Sequence, residues 1–253
     1  MTSRPPSTDE AFAWPEGKRA AVSLTFDDAR PSQVDTGAAV LDACGAKATF
    51  YVSVDNLQRR ANHWARAVEA GHEIGNHTLN HPCSGNFAFA RARALEGYTL
   101  DRMEAELLEA NEAIRRLLGI TPVTFAYPCG QKFVGRGRNV RSTVPLVARH
   151  FLVGRSAFDE TFNDPAFCDL AQVMGQEADC RSFEQLKSMV DAAAEAGGWL
   201  VLLGHEIGDA GPRQTTSADA LEKICRYVLD PGRGLWLDTV AAVGETIRDA
   251  REH

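Results

Sequence analysis

The sequence predicts a single-domain α/β fold, a closed or nearly closed barrel of about seven parallel strands with helices outside. Short apolar runs alternate with helix-period segments about seven times in 253 residues, and that length is typical of an α/β barrel. The runs are apolar at almost every position, as expected of parallel strands whose two faces are both covered. A doubly wound open sheet is the alternative that the same pattern allows.

The predicted elements follow one another in a regular order. Strands are predicted at residues 20–26, 47–53, 72–77, 122–128, 151–158, 198–204 and 234–238. Helices are predicted at residues 33–44, 62–70, 99–118, 182–197 and 218–229, and a last helix ends near residue 251. Gly71 and Gly119 are typical glycines after a helix C-terminus, and Ser182 with Gln185 forms a capping box. The glycine-rich, basic segment 131–141 is predicted to be a loop.

The composition is that of a globular protein. Hydrophobic residues make up 44% and charged residues 24%, and 27 Lys and Arg against 34 Asp and Glu give a net charge of −7. Because nucleic-acid binders are typically basic, we expect no nucleic-acid partner. No composition break divides the chain, so we predict a polar lead-in at residues 1–17 and one domain at residues 18–253.

The sequence contains no export or membrane signal. It has no run of eighteen apolar residues, and the first twenty residues lack the apolar core of a signal peptide. We therefore expect a cytoplasmic protein with no membrane partner. The six cysteines are widely spaced without a C-x-x-C pair, so we expect buried, reduced thiols rather than disulfides.

Ionisable groups or tight turns follow four of the predicted strands. They are Asp27 and Asp28, His77 with His81, the turn Tyr127-Pro128-Cys129-Gly130, and His205 with Glu206. Because sites in parallel α/β folds form at the carboxyl ends of strands, we expect these groups to meet at one end of the barrel. Glu206 is expected to be a solvated neighbour of His205.

The two histidines His77 and His81 fit a metal site. Residues at i and i+4 share a face if the segment is helical, imidazole is a common zinc ligand, and a carboxylate completes a three-ligand catalytic site. Asp28 can supply that carboxylate, which leaves Asp27 as a candidate general base and His205 as a candidate general acid. The alternatives from the residues alone are core histidines and a pair of helix-capping aspartates.

These residues resemble the motifs of the polysaccharide deacetylase family, also called the NodB homology domain. The strings that carry the resemblance are TFDD (25–28), HTLNH (77–81), FAYPCG (125–130) and LLGH (202–205). The resemblance implies a distorted (β/α) barrel. It also implies a divalent metal, usually Zn²⁺, held by Asp28, His77 and His81.

The resemblance further implies a role for each remaining residue. Asp27 is expected to be the catalytic base and His205 the catalytic acid in hydrolysis by a metal-activated water. The backbone N–H of Cys129 is expected to stabilise the oxyanion. A nucleophilic thiol is the competing hypothesis, and we expect the Cys129 side chain only to pack beside the pocket. The residues expected to bind substrate are Tyr127, Pro128 and Leu202.

The sequence departs from the family pattern at three positions. Ala29 stands where glycine is usual, Ala126 where an arginine usually pairs with the base, and Cys129 where tyrosine is common. The groups that tune the base are therefore the part of the site that differs.

Two family features lack an obvious residue in this sequence. For the fourth motif, an Asp/Trp segment, the candidate is Phe158-Asp159. For the missing arginine, Arg30 and Arg155 are the candidates, although a surface salt bridge is the expected role of each.

The predicted function is that of a metal-dependent deacetylase that cleaves the carbon–nitrogen bond of N-acetylated sugars in polysaccharides or chitooligosaccharides. The alternatives are an O-acetyl esterase of the xylan type, a cyclic amide or imide hydrolase, and a catalytically inactive carbohydrate-binding module. The expected partner is an acetylated carbohydrate or a small amide, and homo-oligomerisation is left open. Phe87 and Phe89 in segment 83–97 are expected to stack on sugar rings, and segment 131–141 to meet an anionic substrate. A solvated loop is the alternative for both segments.

Overall fold

The computed structural model describes residues 12–209 and 213–252. Within them lie twelve strands: β1 (Ala20–Asp27), β2 (Thr49–Val52), β3 (Glu73–Asn76), β4 (Thr124–Ala126), β5 (Phe133–Val134), β6 (Arg141–Ser142), β7 (Val153–Arg155), β8 (Gln176–Glu177), β9 (Trp199–Gly204), β10 (Glu206–Ile207), β11 (Thr215–Thr216) and β12 (Leu235–Leu237). The α-helices are α1 (Ala38–Cys44), α2 (Val54–Arg59), α3 (Ala61–Glu69), α4 (Leu100–Leu118), α5 (Val144–His150), α6 (Phe183–Ala196), α7 (Ala218–Leu229) and α8 (Val240–Glu252). A π-helical turn, Gln33–Gly37, leads into α1.

The main sheet is a curled layer of parallel strands in the order β7-β4-β3-β2-β1-β9-β8, with β12 beside the start of β1. Its two ends approach each other, because Ser156 N donates to Val173 O at 2.7 Å and Val173 N to Gly154 O at 2.8 Å. The predicted fold, a single-domain distorted (β/α) barrel of about seven parallel strands, is therefore confirmed, and the alternative, a doubly wound open sheet, is not adopted.

Strand β1 is the centre of this sheet. One edge pairs with β9 from Ala21 to Phe26, and the other pairs with β12 at its start and with β2 at its end. All eight residues of β1 and all six of β9 are buried. Burial on both faces accounts for the uninterrupted apolar runs, and it carries the polar ends of these strands to the same rim.

The helices with explicit end signals are where the sequence predicts them. The Thr99 side chain caps α4, which ends at Gly119 with φ of 74°. The capping box of Ser182 and Gln185 is formed at the start of α6. Helices α2 and α5 and strand β8 were not predicted, because six, seven and two residues are too short for a periodic pattern. The segment predicted as a loop at 131–141 contains the short hairpin of β5 and β6.

The predicted lead-in is too long at its carboxyl end. Trp14 is buried, its Nε1 donates to Gly197 O at 3.0 Å, and its ring packs against Trp236. Residues 12–17 therefore belong to the folded body, and residues 1–11 lie outside the described part. Among the described residues, no helix combines the length and the apolar character needed to cross a membrane.

Candidate active site

The carboxyl ends of β1, β3 and β9 open into one pocket of about 340 Å³. The predicted residues that line it are Asp27, Asp28, His77, His81, Cys129 and His205. These six residues come from four separate segments of the chain, so the fold alone brings them together. A larger cavity, of about 470 Å³, is lined by segments 96–100 and 134–141 and contains none of these six residues.

Asp28, His77 and His81 form a set of donor atoms that fits a divalent metal. Oδ1 of Asp28 lies 3.4 Å from Nε2 of His81 and 3.6 Å from Nε2 of His77, and the three donor atoms lie within 4.8 Å of one another. Two ligands that each lie about 2.1 Å from a tetrahedral ion are about 3.4 Å apart. One carboxylate and two imidazoles at this spacing match a catalytic zinc site with an open position.

Neighbouring hydrogen bonds orient two of these side chains. Nδ1 of His77 donates to Ala126 O at 2.9 Å, which leaves Nε2 free to bind a metal. Arg30 donates to Oδ2 of Asp28 from Nε at 3.2 Å and from Nη2 at 3.0 Å, which leaves Oδ1 facing the histidines. Glu206 is not simply solvated, since it lies 3.5 Å from Arg30 Nη1 and accepts from Ser32.

The pKa shifts keep these groups in the forms that bind metal. Burial, and then the charge of His77, lowers the pKa of His81 to about 4, so its imidazole is neutral at neutral pH. Burial tends to raise the pKa of Asp28, but His77, His81 and Arg30 outweigh it and the net shift is downward. Asp28 is therefore ionised.

The turn that carries both histidines is not helical, contrary to the geometry assumed from their i, i+4 spacing. Thr78 and His81 have φ of 66° and 49°. The turn is held from inside, since Asn76 Oδ1 accepts from Thr78 N at 2.7 Å and Thr78 Oγ1 accepts from His81 N at 2.9 Å. The buried carboxylate of Glu106 on α4 accepts from both Asn80 N and Asn80 Nδ2.

The general-base candidate Asp27 is paired with a buried arginine. Nη2 of Arg155 donates to Oδ1 of Asp27, and the Arg155 side chain has no exposed surface. The expectation of a surface salt bridge for Arg155 is therefore wrong. Strands β4 and β7 are in a register that pairs Ala126 with Arg155, so the arginine comes from the neighbouring strand at the matching position.

Electrostatics keeps Asp27 ionised despite its burial. Burial tends to raise the pKa of Asp27. The charges of Arg155, His77 and His205, in that order of size, outweigh burial, and the net shift of the pKa is downward. Its second oxygen, Oδ2, lies 3.8 Å from Nε2 of His77. One oxygen is thus held by Arg155 while the other faces the metal-ligand set.

The general-acid candidate His205 has a carboxylate partner that sequence reasoning missed. Its Nδ1 lies 2.7 Å from Oδ2 of Asp179, and Thr216 Oγ1 donates to the other oxygen of Asp179 at 2.8 Å. Burial tends to lower the pKa of His205, but Asp179 and Asp27 outweigh it and raise it. The candidate proposed from the sequence, Asp159, instead accepts from Gly175 N. Asp179 follows the two-residue strand β8, which is too short to leave a signal in the sequence pattern.

A glutamine joins the two candidate proton-transfer groups through their backbones. Nε2 of Gln33 donates to Asp27 O at 2.6 Å and to His205 O at 2.8 Å. Gln33 is fully buried at the start of the π-helical turn. It therefore fixes the end of β1 against the end of β9, on which the spacing of base and acid depends.

The family model described as polysaccharide deacetylase matches residues 15–143, just over half of the chain. The chain belongs to the polysaccharide deacetylase family. Membership supports hydrolase activity of the deacetylase and acetyl esterase class. The matched segment contains Asp27, Asp28, His77 and His81, and it ends before Arg155, Asp179 and His205.

Individual family members and structures of the same fold are more distant. A peptidoglycan-N-acetylglucosamine deacetylase of Bacillus cereus is 32% identical over 124 residues, which are 48% of this chain and 40% of that protein. The Puue allantoinase structure has a TM-score of 0.65 at 14% identity and covers 95% of this chain and 94% of its own. The acetyl xylan esterase of Clostridium thermocellum, in complex with a cobalt ion, has a TM-score of 0.57 at 23% identity, with 88% and 89% coverage. The chain spans 8% to 40% of the length of the first two curated relatives that it matches.

The departure from the family glycine at Ala29 has a visible structural consequence. Asp28 and Ala29 have φ of 75° and 52°, a left-handed conformation that costs an alanine roughly 1–2 kcal/mol. Ser53 Oγ and Asn56 Nδ2 both donate to Asp28 O, at 2.8 and 2.9 Å. These two bonds hold the turn that aims Asp28 into the pocket.

The departure at Cys129 overturns the expectation of reduced thiols. Cys129 and Cys83 form a disulfide, and Cys83 is two residues beyond the ligand His81. Cys129 has φ of 54°, and the turn around it is closed by Gly130 N donating to Tyr127 O at 2.9 Å. The other described cysteines are free. The disulfide thus ties the turn that carries the proposed oxyanion donor to the turn that carries His81.

Three residues expected to bind substrate lie away from the pocket. The Tyr127 hydroxyl is buried and donates to Ala171 O at 2.7 Å, and Pro128 is buried in the turn. Leu202 packs in the main core, while its neighbour Leu203 lines the pocket. Alternate residues of a strand face opposite sides, so an error of one residue in β9 reverses the assignment.

The pocket mouth carries aromatic side chains. Phe87, Phe89 and Phe158 line it and are 41%, 61% and 53% exposed. Exposure of three large apolar rings around a polar floor is typical of a binding surface. Phe87 and Phe89 of segment 83–97 therefore lie at the pocket, and their stacking on sugar rings stays a prediction.

The carboxylate of Asp179 should set the alkaline limb of the pH–activity profile. In Asp179→Asn the charge that raises the pKa of His205 is lost, so that pKa should fall. A general acid must be protonated, so the decline of kcat/KM with rising pH should begin at a lower pH than in wild type. The matched control is Asp159→Asn, which should leave the alkaline limb in place. An unmoved limb in Asp179→Asn would contradict the pairing.

Substituting either cysteine of the disulfide tests whether the Cys129 thiol itself takes part in catalysis. Cys129→Ala and Cys83→Ser break the same bond and keep the N–H of residue 129, so both should lose similar activity, less than about tenfold in kcat/KM. Both should also lower the free energy of unfolding by about 2–4 kcal/mol. Cys44→Ser, a free thiol elsewhere, is the control. A thousandfold loss in Cys129→Ala alone would indicate a thiol nucleophile instead.

Proposed function

We propose that this protein is a metal-dependent deacetylase that hydrolyses the N-acetyl groups of sugars in a polysaccharide or oligosaccharide. The proposal rests on one observation. The set of metal ligands has a proton-transfer group on either side, and each of these two groups has its own charged partner. Asp27 and His205 line the same pocket as Asp28, His77 and His81. Behind them, Arg155 pairs with Asp27 and Asp179 pairs with His205.

The metal-ligand residues are Asp28, His77 and His81. A divalent cation, in first place Zn²⁺, would supply Lewis acidity toward the acyl carbonyl and the attacking water. The neutral His81 and the ionised Asp28 are in the form that binds a metal, and the Nδ1 contact of His77 with Ala126 O turns its Nε2 toward them.

Asp27 acts as the general base. Its lowered pKa makes it a carboxylate at neutral pH, and Arg155 holds Oδ1 so that Oδ2 faces the pocket. It accepts the proton of the attacking water. The backbone N–H of Cys129 donates to the oxygen of the carbonyl as negative charge develops there, a kind of contact worth about 3–4 kcal/mol in other enzymes.

His205 acts as the general acid. Asp179 accepts from Nδ1, so Nε2 is the nitrogen that delivers a proton to the leaving amine. Cleavage of an amide needs this proton more than cleavage of an ester, because an amide anion is a much poorer leaving group than an alkoxide. The buried Asp179 partner therefore favours the N-deacetylase over the O-acetyl esterase.

The alternatives remain as outcomes of the same assays. A peptidoglycan-N-acetylglucosamine deacetylase among the relatives supports an amide of a sugar. The acetyl xylan esterase and the allantoinase share the fold, and an inactive binding module would not need the partnered Asp27 and His205.

Cytoplasmic location stays a prediction, and the Cys83–Cys129 disulfide counts against it, because cytosolic thiols are kept reduced. Homo-oligomerisation also stays open.

The deciding experiment joins metal analysis to a substrate screen. Protein stripped with a chelator and reloaded with Zn²⁺ or Co²⁺ is assayed for acetate release from N-acetylchitooligosaccharides, peptidoglycan glycan and O-acetyl xylan, and for ring opening of a cyclic imide. We expect about one metal per chain, acetate from the N-acetyl substrates, and loss of both metal and activity in His77→Ala.

Two variants sharpen this experiment. Asp27→Asn should keep the metal and lower kcat by about 10² or more. The control His63→Ala changes a half-buried histidine on α3 and should alter neither metal content nor rate. Activity that survives metal removal would refute the proposal. If acetate release from O-acetyl xylan or ring opening of the imide is faster than N-deacetylation, that compound class is the substrate instead of the N-acetyl sugars.

A further inference from the structure

A groove lined by arginines lies beside the pocket. It consists of two adjoining cavities of about 470 and 290 Å³ that share Glu96, Gly97 and Arg136. The arginines that line it, called here the arginine groove, are Arg91, Arg93, Arg102, Arg136 and Arg141. None of them belongs to the proposed catalytic machinery.

The positive charge of this groove is only partly neutralised by the protein. All five arginines are exposed, and none of them forms an ion pair with any carboxylate in residues 12–209 and 213–252. Three exposed arginines elsewhere, Arg115, Arg226 and Arg248, do pair with carboxylates, at 2.8–2.9 Å. A chain with a net charge of −7 thus keeps five unpaired cations on one surface.

One acidic residue, Glu96, lies between the two cavities, and hydrogen bonds from Ser84 and Gly85, followed by the charge of Arg136, lower its pKa. Five arginines and one ionised glutamate leave the groove with an excess of four positive charges. The carboxylate of Glu96 accepts from Ser84 Oγ at 2.7 Å and from Gly85 N at 2.9 Å. Arg102 lies over the Tyr98 ring, 3.8 Å from its centroid, and Nη1 of Arg141 donates to Val140 O at 2.8 Å. These contacts hold the guanidinium groups in place without cancelling their charge, so the groove is suited to anions.

The groove is continuous with the proposed active site through segment 83–97. Cys83 is bonded to Cys129 of the pocket, Phe87 and Phe89 line the pocket mouth, and Arg91 already lines the groove. Two residues span at most about 7.6 Å between Cα atoms, so Phe89 and Arg91 are within about one or two sugar units of each other. A glycan that enters the pocket at Phe89 can therefore extend over the arginines.

We propose that the arginine groove binds the acidic groups of the substrate, which is an anionic polysaccharide that carries N-acetyl groups. This inference rests on the proposed N-deacetylase function and adds the charge class of its substrate. Guanidinium groups bind carboxylates and phosphates in the same bidentate way, so the shared chemistry is an anionic oxygen group spaced along the polymer.

The test compares two triple variants that remove the same charge. In the groove variant Arg91, Arg93 and Arg136 become Gln, and in the control variant Arg115, Arg226 and Arg248 become Gln. Metal-loaded protein is assayed on hyaluronan oligosaccharides, on a phosphodiester-linked N-acetylglucosamine oligomer, and on neutral N-acetylchitooligosaccharides. Hyaluronan carries carboxylates and the phosphodiester oligomer carries phosphates, so comparing the two shows which acidic group the groove binds.

We expect the groove variant to raise KM for at least one anionic substrate by roughly tenfold or more, with kcat within about twofold. KM for the neutral substrate should not change, and the control variant should match wild type on all three. Added salt should raise KM of wild type for the anionic substrate only. Equal effects on anionic and neutral substrates, or equal effects of the two triple variants, would overturn the proposal.

A direct binding measurement separates this inference from the proposed function. If no N-acetyl substrate is cleaved, the proposed function fails, and the groove is tested by titrating fluorescent hyaluronan and phosphodiester oligomers into wild type and both variants. If only the groove variant loses affinity, the inference that the groove binds an anionic ligand is supported. No binding to wild type, or tighter binding of single-stranded DNA than of both glycans, would refute it.

Discussion

The buried ion pair between Asp27 and Arg155 is the interaction on which the rest of the candidate site depends. Asp27 and Asp28 are adjacent carboxylates at the end of a strand buried along its whole length, and two such charges are costly to bury without counter-charges. Each has its own arginine, since Arg155 pairs with Asp27 and Arg30 with Asp28. Removing one partner of a buried pair typically costs about 3–5 kcal/mol. Because each aspartate has its own arginine, we infer that the two neighbouring carboxylates have separate roles, Asp27 as general base and Asp28 as metal ligand.

The curl of the sheet makes the pairing of Asp27 with Arg155 possible. Arg155 reaches Asp27 from β7 because the ends of the sheet approach each other. Asp179 reaches His205 from just beyond β8, which is paired directly with β9. Gln33 then fixes the ends of β1 and β9 through their carbonyls. In an open sheet three strands would separate β7 from β1, and the base would lack its arginine. Closure of the barrel is thus a requirement of the chemistry.

The parts of the molecule that were predicted from the sequence are those set by local pattern. The apolar runs of β1 and β9 and the end signals of α4 and α6 are local, and the polar strand ends meet because parallel strands share a rim. Arg155 and Asp179 could not be assigned, since 128 residues separate Arg155 from Asp27 and only the register of β4 and β7 shows the substitution for Ala126. The same holds for the disulfide, whose cysteines are 46 residues apart. The side of β9 that faces the pocket was also beyond the sequence pattern, because both of its faces are buried.

A crystal structure of the Zn²⁺-loaded protein, with anomalous data at the zinc edge, tests the central claim most directly. The account predicts one zinc peak within about 2.0–2.2 Å of Asp28, His77 and His81, with Asp27 still paired to Arg155 and off the metal. Asp27 bound to the zinc with its Arg155 pair broken would contradict the separate roles of the two aspartates. A zinc peak away from the two histidines would contradict the site itself.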